Sequence, residues 1–335
     1  MLFKRHIKKV ASIFKHLLYL QKIKRHRKKY KNIIFNSPKI LILMSGGIGN
    51  AIEATPLVQA IRIFWPQAYI AIYPPPGDLF EDWCVVDRII KNTNELREKD
   101  YDHVFVCSGR LPKDFCNKAR NIHFVRCILW KWFLKPEREY YLDMLRRLGY
   151  KGFTPPLYVS ISKPKISISP ASLRISIVPG GKVERKWMNK RWPYYSSLVE
   201  KLLENYPNSQ VCIVGSRGDY LSKPLPVDSR IIDLRGKLSL RETAWVFKNS
   251  NLVIGNDCGP LHIADAVQTI SLVIFGPTCE LKNSPAHKAV PLYLNFSCRP
   301  CQYNLLIESC KYPRCIQEIS VEFVMEKVNL LKDLI

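Results

Sequence analysis

From Lys39 onward, short apolar runs alternate with stretches whose apolar residues recur every three or four positions. Lys39 to Ser45 (KILILMS) is apolar almost throughout and ends in glycine, the pattern of a strand covered on both faces. Ile52, Leu57, Ala60, Ile61 and Phe64 then keep helical spacing and predict a helix over Ala51 to Phe64. Ala68 to Tyr73 predicts the next strand, stopped by Pro74, Pro75 and Pro76. Asp102 to Cys107 and Ile122 to Val125 predict two more strands, and Pro136 to Leu148 a helix ended by Gly149. Residues 150–171 are proline-rich without helical period and read as a linker.

A second series begins at Arg174. It predicts strand Ile175 to Val178, helix Tyr194 to Asn205, strand Gln210 to Gly215 and strand Arg230 to Leu234. Ser239 with Glu242 three residues later forms a capping box that opens a helix up to Asn249. Strand Leu252 to Gly255, a short helix Pro260 to Val267, strand Ser271 to Phe275 and an amphipathic helix Val321 to Leu334 complete the order. Strands alternating with helices predict an α/β class with parallel sheets.

The first 37 residues break this pattern. Leu2, Phe3, Ile7, Val10, Ile13, Phe14, Leu17, Leu18 and Leu20 recur mostly at three- and four-residue steps, with basic residues filling much of the rest. Between Met1 and Lys31 stand 12 Lys or Arg and no acid; the first acid is Glu53. Half of the +24 formal charge therefore sits in under a tenth of the chain. An amphipathic basic helix of this kind suits a packed helix with a charged outer face, an anionic membrane surface or a nucleic acid. The expectation is the anionic membrane, with no nucleic acid partner.

Length and composition narrow the class. A chain of 335 residues suggests two domains. With 47% hydrophobic and 24% charged residues it reads as an ordinary globular protein. Runs such as Ile40 to Met44 and Ser271 to Phe275 fall far below the roughly 18–20 residues of a spanning helix. No secretory signal is visible, because Lys8, Lys9, Lys15 and His16 interrupt Ile7 to Leu20. Eleven cysteines are too sparse for a disulfide scaffold, so the expected setting is cytoplasmic.

Three turns carry candidate chemistry. Gly46-Gly47-Ile48-Gly49-Asn50 lies between a strand and a helix, where glycines let backbone approach a ligand. A dinucleotide fingerprint is disfavoured by Ile52 at its third small position and by the missing acid after Tyr73. Asn256-Asp257-Cys258-Gly259-Pro260-Leu261-His262 is a second strand-to-helix turn, suited to a diphosphate, with His262 in the first helical turn. The third follows Gly180-Gly181 and runs from Lys182 to Pro193; its cations suit a phosphate-bearing ligand, or else a solvated charge run. A cysteine cluster, Cys298, Cys301, Cys310 and Cys315, starts with C-x2-C; it either holds zinc or consists of free or locally paired thiols.

In this order the turns resemble glycosyltransferase family 9, which includes the ADP-heptose:lipopolysaccharide heptosyltransferases. The resemblance covers about Lys39 to Leu334. It rests on Gly46 to Pro56, on Lys190-Arg191-Trp192-Pro193, and most specifically on Asp257-Cys258-Gly259-Pro260-Leu261-His262-Ile263-Ala264 followed by Phe275-Gly276-Pro277-Thr278. It implies a GT-B fold: two Rossmann-like domains with parallel sheets facing a cleft, here joined to the basic N-terminal helix. The expected division is an arm over 1–37, an acceptor-side domain over 38–165, a nucleotide-sugar domain over 166–318 and a C-terminal helix over 319–335.

The resemblance further implies inverting transfer of a sugar, typically a heptose from ADP-heptose, to a lipid-linked core saccharide at the inner face of the cytoplasmic membrane. Donor contacts are expected from Gly180, Gly181, Lys186, Lys190, Asp257, Cys258, Gly259, Pro260 and His262. Gly46, Gly47 and Gly49 form the acceptor-side loop. No cofactor is required; clusters like that of Cys298, Cys301, Cys310 and Cys315 are structural in the family, so any zinc there is structural. The family pattern has Asp where this chain has Asn50, which makes a non-catalytic sugar-nucleotide or lipopolysaccharide-binding relative the alternative. An amide is no useful base near neutral pH, and Glu53 three residues on shares a helical face. The catalytic pair expected here is Glu53 as base with Asn50 orienting the acceptor; Asp78, Glu81 and Asp102 are the other candidate bases.

Overall fold

The computed structural model describes residues 36–44, 47–97, 100–108, 119–125, 135–182, 184–219, 221–285, 287–302 and 306–334. The basic arm expected over 1–37 lies almost wholly outside the described residues.

The first domain runs β1 (Lys39–Met44), α1 (Ile48–Glu53), α2 (Thr55–Phe64), β2 (Tyr69–Tyr73), β3 (Arg88–Ile89), α3 (Thr93–Arg97), β4 (Tyr101–Ser108), β5 (Ala119–Phe124) and α4 (Glu137–Arg146). Its five strands are parallel, in the order β3-β2-β1-β4-β5. Ile42 lies level with Ile72 on one side and Phe105 on the other. Burial of Ile40 through Met44 on both faces explains why β1 reads as an unbroken apolar run.

The single helix expected over Ala51 to Phe64 is two helices. Pro56 has no N–H to offer the Ile52 carbonyl, and the Thr55 hydroxyl donates to that carbonyl instead, at 2.7 Å. Ala54 therefore becomes a joint between α1 and α2.

The second domain runs β6 (Leu173–Val178), a 3₁₀ turn (Arg185–Lys190), α5 (Tyr195–Asn205), β7 (Ser209–Ile213), β8 (Ile231–Asp233), α6 (Leu240–Lys248), β9 (Leu252–Asn256), α7 (Gly259–Ala266), β10 (Ser271–Ile274), α8 (Glu280–Asn283) and β11 (Ala289–Leu292). Short helices α9 (Leu306–Ser309) and α10 (Arg314–Gln317) lead to α11 (Val321–Leu330). The six strands are parallel, in the order β11-β10-β9-β6-β7-β8. The capping box forms as expected: Glu242 N–H donates to Ser239 Oγ at 3.3 Å, and Ser239 N–H to Glu242 Oε2 at 2.8 Å. β3 and β11, which the pattern did not announce, are both edge strands, one of two residues and one carrying Pro291.

Residues 150–171 carry no helix or strand, but they are packed rather than loose. Tyr158 N–H donates to Thr55 Oγ1 at 2.9 Å, Ser160 N–H to the Leu79 carbonyl at 2.9 Å and Ser162 N–H to the Arg241 carbonyl at 3.2 Å. Leu157 and Val159 are buried between these bonds, so the segment is pinned first to one domain and then to the other. Helix α11 buries Val324, Met325 and Val328 against Trp192, Leu198 and Leu202 of the second domain; it ends at Leu330 rather than Leu334. One apolar cluster continues across both domains, from Ile42 and Ile52 to Leu261, Ile263 and Phe275. Among the described residues no helix is long and apolar enough to cross a membrane.

Candidate functional site

Each sheet reverses its strand order beside its first strand, between β1 and β4 and between β6 and β9. Ligands of open α/β sheets bind at such points, beyond the carboxyl ends of the strands. The chain leaves β1 into Gly47–Asn50, β6 into Gly180–Lys182 and β9 into Asp257–Pro260, and all three turns line one cavity of about 500 Å³.

The two domains meet at glycines. A Cβ on Gly49 would stand 2.9 Å from His262 Cδ2 and 3.6 Å from Gly259 Cα. A Cβ on Gly259 would stand 2.7 Å from Ile48 Cβ and 3.1 Å from the Gly49 nitrogen. Helices α1 and α7 thus begin against each other because Gly49 and Gly259 leave room there for the backbone of the other helix and for Ile48 and His262. Gly46 lies outside the described residues, whereas Gly47 lines the cavity 3.7 Å, by its would-be Cβ, from Lys182 Cε.

On the second domain, Lys190-Arg191-Trp192-Pro193 is organised by its tryptophan. Trp192 is buried, its indole N–H donating to the Ile319 carbonyl at 2.8 Å. Its backbone N–H donates to Asn256 Oδ1 at 2.9 Å, while the Asn256 amide donates to the Pro179 and Gly180 carbonyls at 2.9 and 3.1 Å. Asn256, which opens the second candidate turn, therefore ties the β6 exit, the tryptophan and β9 together. Arg191 donates to the Gly181 carbonyl at 2.6 Å and pairs with Asp219 at 3.2 Å. Gly180 is small because Asp219 sits against it: an added Cβ would lie 2.1 Å from the carboxylate. The Lys186 side chain lies outside the described residues.

Lys190 Nζ reaches the cavity and pairs with Asp257 Oδ2 at 2.7 Å; the Asn283 amide donates to the same oxygen at 3.1 Å. Burial works to raise the Asp257 pKa, but Lys190 and these hydrogen bonds bring it below the usual range. Asp257 is thus a holder of Lys190, since a carboxylate itself repels phosphate. Burial pushes the Cys258 thiol up to about 12, so it stays protonated. The helix start offers fewer amides than its position suggests: Pro260 has no N–H, and that of Leu261 is bonded to the Cys258 carbonyl at 3.1 Å. Four cations (Lys182, Lys190, Arg191 and Lys282) and three carboxylates (Glu53, Glu137 and Asp257) line the cavity among the described residues.

Glu53 does reach the cavity, but not as an open base. Its carboxylate is 2% exposed. His262 Nδ1 donates to Oε1 at 3.0 Å, and the Arg138 backbone N–H donates to Oε2 at 3.0 Å. Burial lowers the His262 pKa, but the hydrogen bond and charge of Glu53, with Asp257 and Asp265 behind, raise it above its ordinary value overall. Glu53 thus grips His262 across the domain boundary while its residue lines the cavity. The alternatives Asp78, Glu81 and Asp102 do not line the cavity.

The carboxylate that sequence reasoning missed is Glu137, the first residue of α4. The Asn50 amide donates to Glu137 Oε1 at 2.7 Å, the Tyr141 hydroxyl donates to the same oxygen, and Lys282 Nζ donates to Oε2 at 2.5 Å. Behind Pro136, Glu137 looks like an ordinary first-turn acid of a helix. Nothing local announces its partners, which stand 87 and 145 residues away.

Below the cavity, the loop Gly276–Thr278 is braced by Arg299, which donates to the Gly276 carbonyl at 2.5 Å and to the Thr278 carbonyl at 3.0 Å. Gln302 Oε1 accepts from the Cys279 N–H at 3.1 Å, and Cys301 N–H donates to the Pro277 carbonyl at 2.9 Å. The cysteine segment therefore supports the loop through its backbone. Cys301 and Cys315 are buried, Cys298 and Cys310 exposed, and all four are free thiols. Among the described residues, no three His, Cys, Asp or Glu are grouped to hold a metal ion.

Comparison with known proteins agrees with this layout. Residues 149–311 match the model of glycosyltransferase family 9 (heptosyltransferase). The lipooligosaccharide heptosyltransferase 2 of Haemophilus influenzae is 27% identical over 151 residues; the match spans 42% of this chain and 43% of that protein, under half its length. The lipooligosaccharide heptosyltransferase 2 of Campylobacter jejuni (serotype O:6) is 27% identical over 328 residues, covering 88% of this chain and 99% of the relative. The structure of E. coli ADP-heptose LPS heptosyltransferase II superposes with a TM-score of 0.65 at 20% identity, over 88% of this chain and 98% of that one. Residues 149–311 thus carry a match to glycosyltransferase family 9 (heptosyltransferase), and the two parallel-sheet domains have the GT-B fold of the solved heptosyltransferases.

Proposed function

We propose that the enzyme moves a heptose from ADP-heptose to a lipid-linked core saccharide, with inversion at the anomeric carbon. The observation that carries this reading is the cavity between α1 and α7, where Lys190 and Lys182 from the second domain face Gly47 to Asn50 of the first. The diphosphate occupies the cationic side, displacing Asp257 from part of its contact with Lys190. The names of the relatives, which include an ADP-heptose enzyme and lipooligosaccharide heptosyltransferases, support the choice of donor and acceptor class. Lysines and the Gly259 turn meet the charge of the diphosphate, so the reading calls for no resident metal or cofactor. The four cysteines act as a structural brace.

Thermal denaturation tests the donor. A ligand at 100 times its Kd adds about 2.7 kcal/mol to the native state. ADP-heptose should stabilise the protein more than UDP- or GDP-sugars, and should release ADP when a heptose-truncated lipooligosaccharide is added. Stabilisation by UDP- or GDP-sugars alone, or no ADP release, refutes the assignment. Lys190→Ala should weaken ADP-heptose binding by about 1.5–3 kcal/mol, the range of a charged hydrogen bond. Calorimetric titration measures it, and wild-type affinity in the variant would place the diphosphate elsewhere.

The basic arm supports peripheral attachment to the inner face of the cytoplasmic membrane, since each cation near an anionic surface contributes about 1 kcal/mol and loses it with salt. Deletion of residues 2–31 should release the protein from phosphatidylserine-containing vesicles while leaving ADP-heptose affinity unchanged. Sedimentation with vesicles decides the matter; equal binding by the truncated protein refutes it.

A further inference from the structure

We propose that Glu137 is the carboxylate that accepts the proton of the attacking hydroxyl, set in place by Asn50 and Tyr141 and charge-balanced by Lys282. The inference rests on the transferase reading above and names the base for it.

Among the described residues three carboxylates line the cavity, and their surroundings separate them. Glu53 is 2% exposed and closed in by His262 and Arg138. Asp257 belongs to the donor side, where Lys190 and Asn283 hold it. Glu137 comes from the other domain, and its side chain keeps 13% exposure. Two donors fix Oε1, the Asn50 amide and the Tyr141 hydroxyl, while Lys282 holds Oε2 from the second domain. A carboxylate fixed in this way but still reached from the cavity fits a base that must meet a hydroxyl in one orientation.

Burial works to raise the Glu137 pKa, but the charge and hydrogen bond of Lys282, with the bonds from Tyr141 and Asn50, bring it below the ordinary carboxylate value. The group is therefore ionised at neutral pH and able to take a proton. The other titratable groups around it are Tyr141 and Cys107, both pushed upward by burial and so neutral, with Glu53 and His262 on the flanking helices. In the step itself, the hydroxyl proton passes to Glu137 while the acceptor oxygen bonds to the anomeric carbon. The bond from that carbon to the diphosphate oxygen breaks, and its electron pair leaves on the nucleoside diphosphate. Protonated Glu137 then returns its proton to water. Lys282 is shared between the carboxylate and the arriving diphosphate, so the base is least restrained when donor is bound.

The test uses the full chain, ADP-heptose and a heptose-truncated lipooligosaccharide, with kcat followed against pH. Glu137→Gln should lower kcat by about 10²–10⁴-fold, the usual contribution of a general base, and keep ADP-heptose affinity. It should also lose the acidic limb of the profile. Glu137→Asp retains the limb at an intermediate rate. Lys282→Met removes the charge that depresses the Glu137 pKa, so the limb should move to higher pH. If Glu137 and Lys282 form only a structural tie between domains, both variants lose activity and the limb stays in place, which overturns the proposal. Turnover of Glu137→Gln within about threefold of wild type, well under the general-base range, also overturns it. A wild-type enzyme that neither binds nor turns over ADP-heptose instead overturns the transferase reading, so the two failures are distinct.

Discussion

Glu53→Gln should unfold at lower denaturant concentration than the wild type, and the gap between them should narrow as pH rises. Glu53 and His262 are 209 residues apart and buried together at the meeting of the two domains. Breaking a buried pair by removing one partner typically costs about 3–5 kcal/mol, because the other charge is left unmatched. Glutamine keeps an oxygen for the Arg138 N–H, so its cost falls to about 1–3 kcal/mol, the cost of an impaired buried hydrogen bond; Glu53→Ala should show the full amount. The pH dependence follows from His262, whose pKa is raised in the folded protein chiefly by Glu53, against the opposing effect of burial. A raised histidine pKa contributes stability that is fully present below the unfolded value of about 6.5 and is lost as pH climbs through the folded value. Denaturant midpoints from pH 6 to 9 should therefore converge for wild type and Glu53→Gln. A constant gap would mean that the imidazole is not charged in the folded state. With Glu137 proposed as the base, replacement of Glu53 should reduce kcat by less than the 10²–10⁴-fold of a general base.

Gly259→Val should disable the donor turn and part the two domains at their contact. The first added carbon already lies 2.7 Å from Ile48 Cβ and 3.1 Å from a backbone nitrogen, which cannot rotate away. Relief requires α7 to retreat from α1, and that movement displaces His262 from Glu53 as well as the edge of the cavity. Overpacking of this kind costs about 1–3 kcal/mol, roughly 5- to 150-fold in an equilibrium constant. ADP-heptose affinity should fall by that factor. Gly259→Ala, with one carbon, should show the smaller part of it. Unchanged affinity in the valine variant would mean that the donor does not need the domains in contact.

Much of the fold and half of the site were legible along the chain, and the division follows the range of the forces involved. The apolar runs of β1, β6, β9 and β10, the capping box at Ser239 and the glycine turns after β1 and β9 are local, written in spacing of two or 3.6 residues and in turn chemistry. Their alternation implied parallel sheets, and parallel sheets place strand-end turns on one edge, which is why the Gly47 and Asp257 turns could be expected together. Lys190 was visible because it stands in a cation-rich run after Gly180-Gly181 and because Lys190-Arg191-Trp192-Pro193 resembles a family element. The break at Ala54 was readable in Pro56 but masked by continuous helical spacing. What local pattern does not contain is the partner of a charged side chain. Whether Glu53 points to solvent, to an acceptor or to His262 depends on how one sheet is turned toward the other. The same holds for Glu137, whose meeting with Asn50 and Lys282 joins three distant helices. A carboxylate's role is set by what surrounds it once water is excluded, and that environment exists only after the two domains have closed on each other.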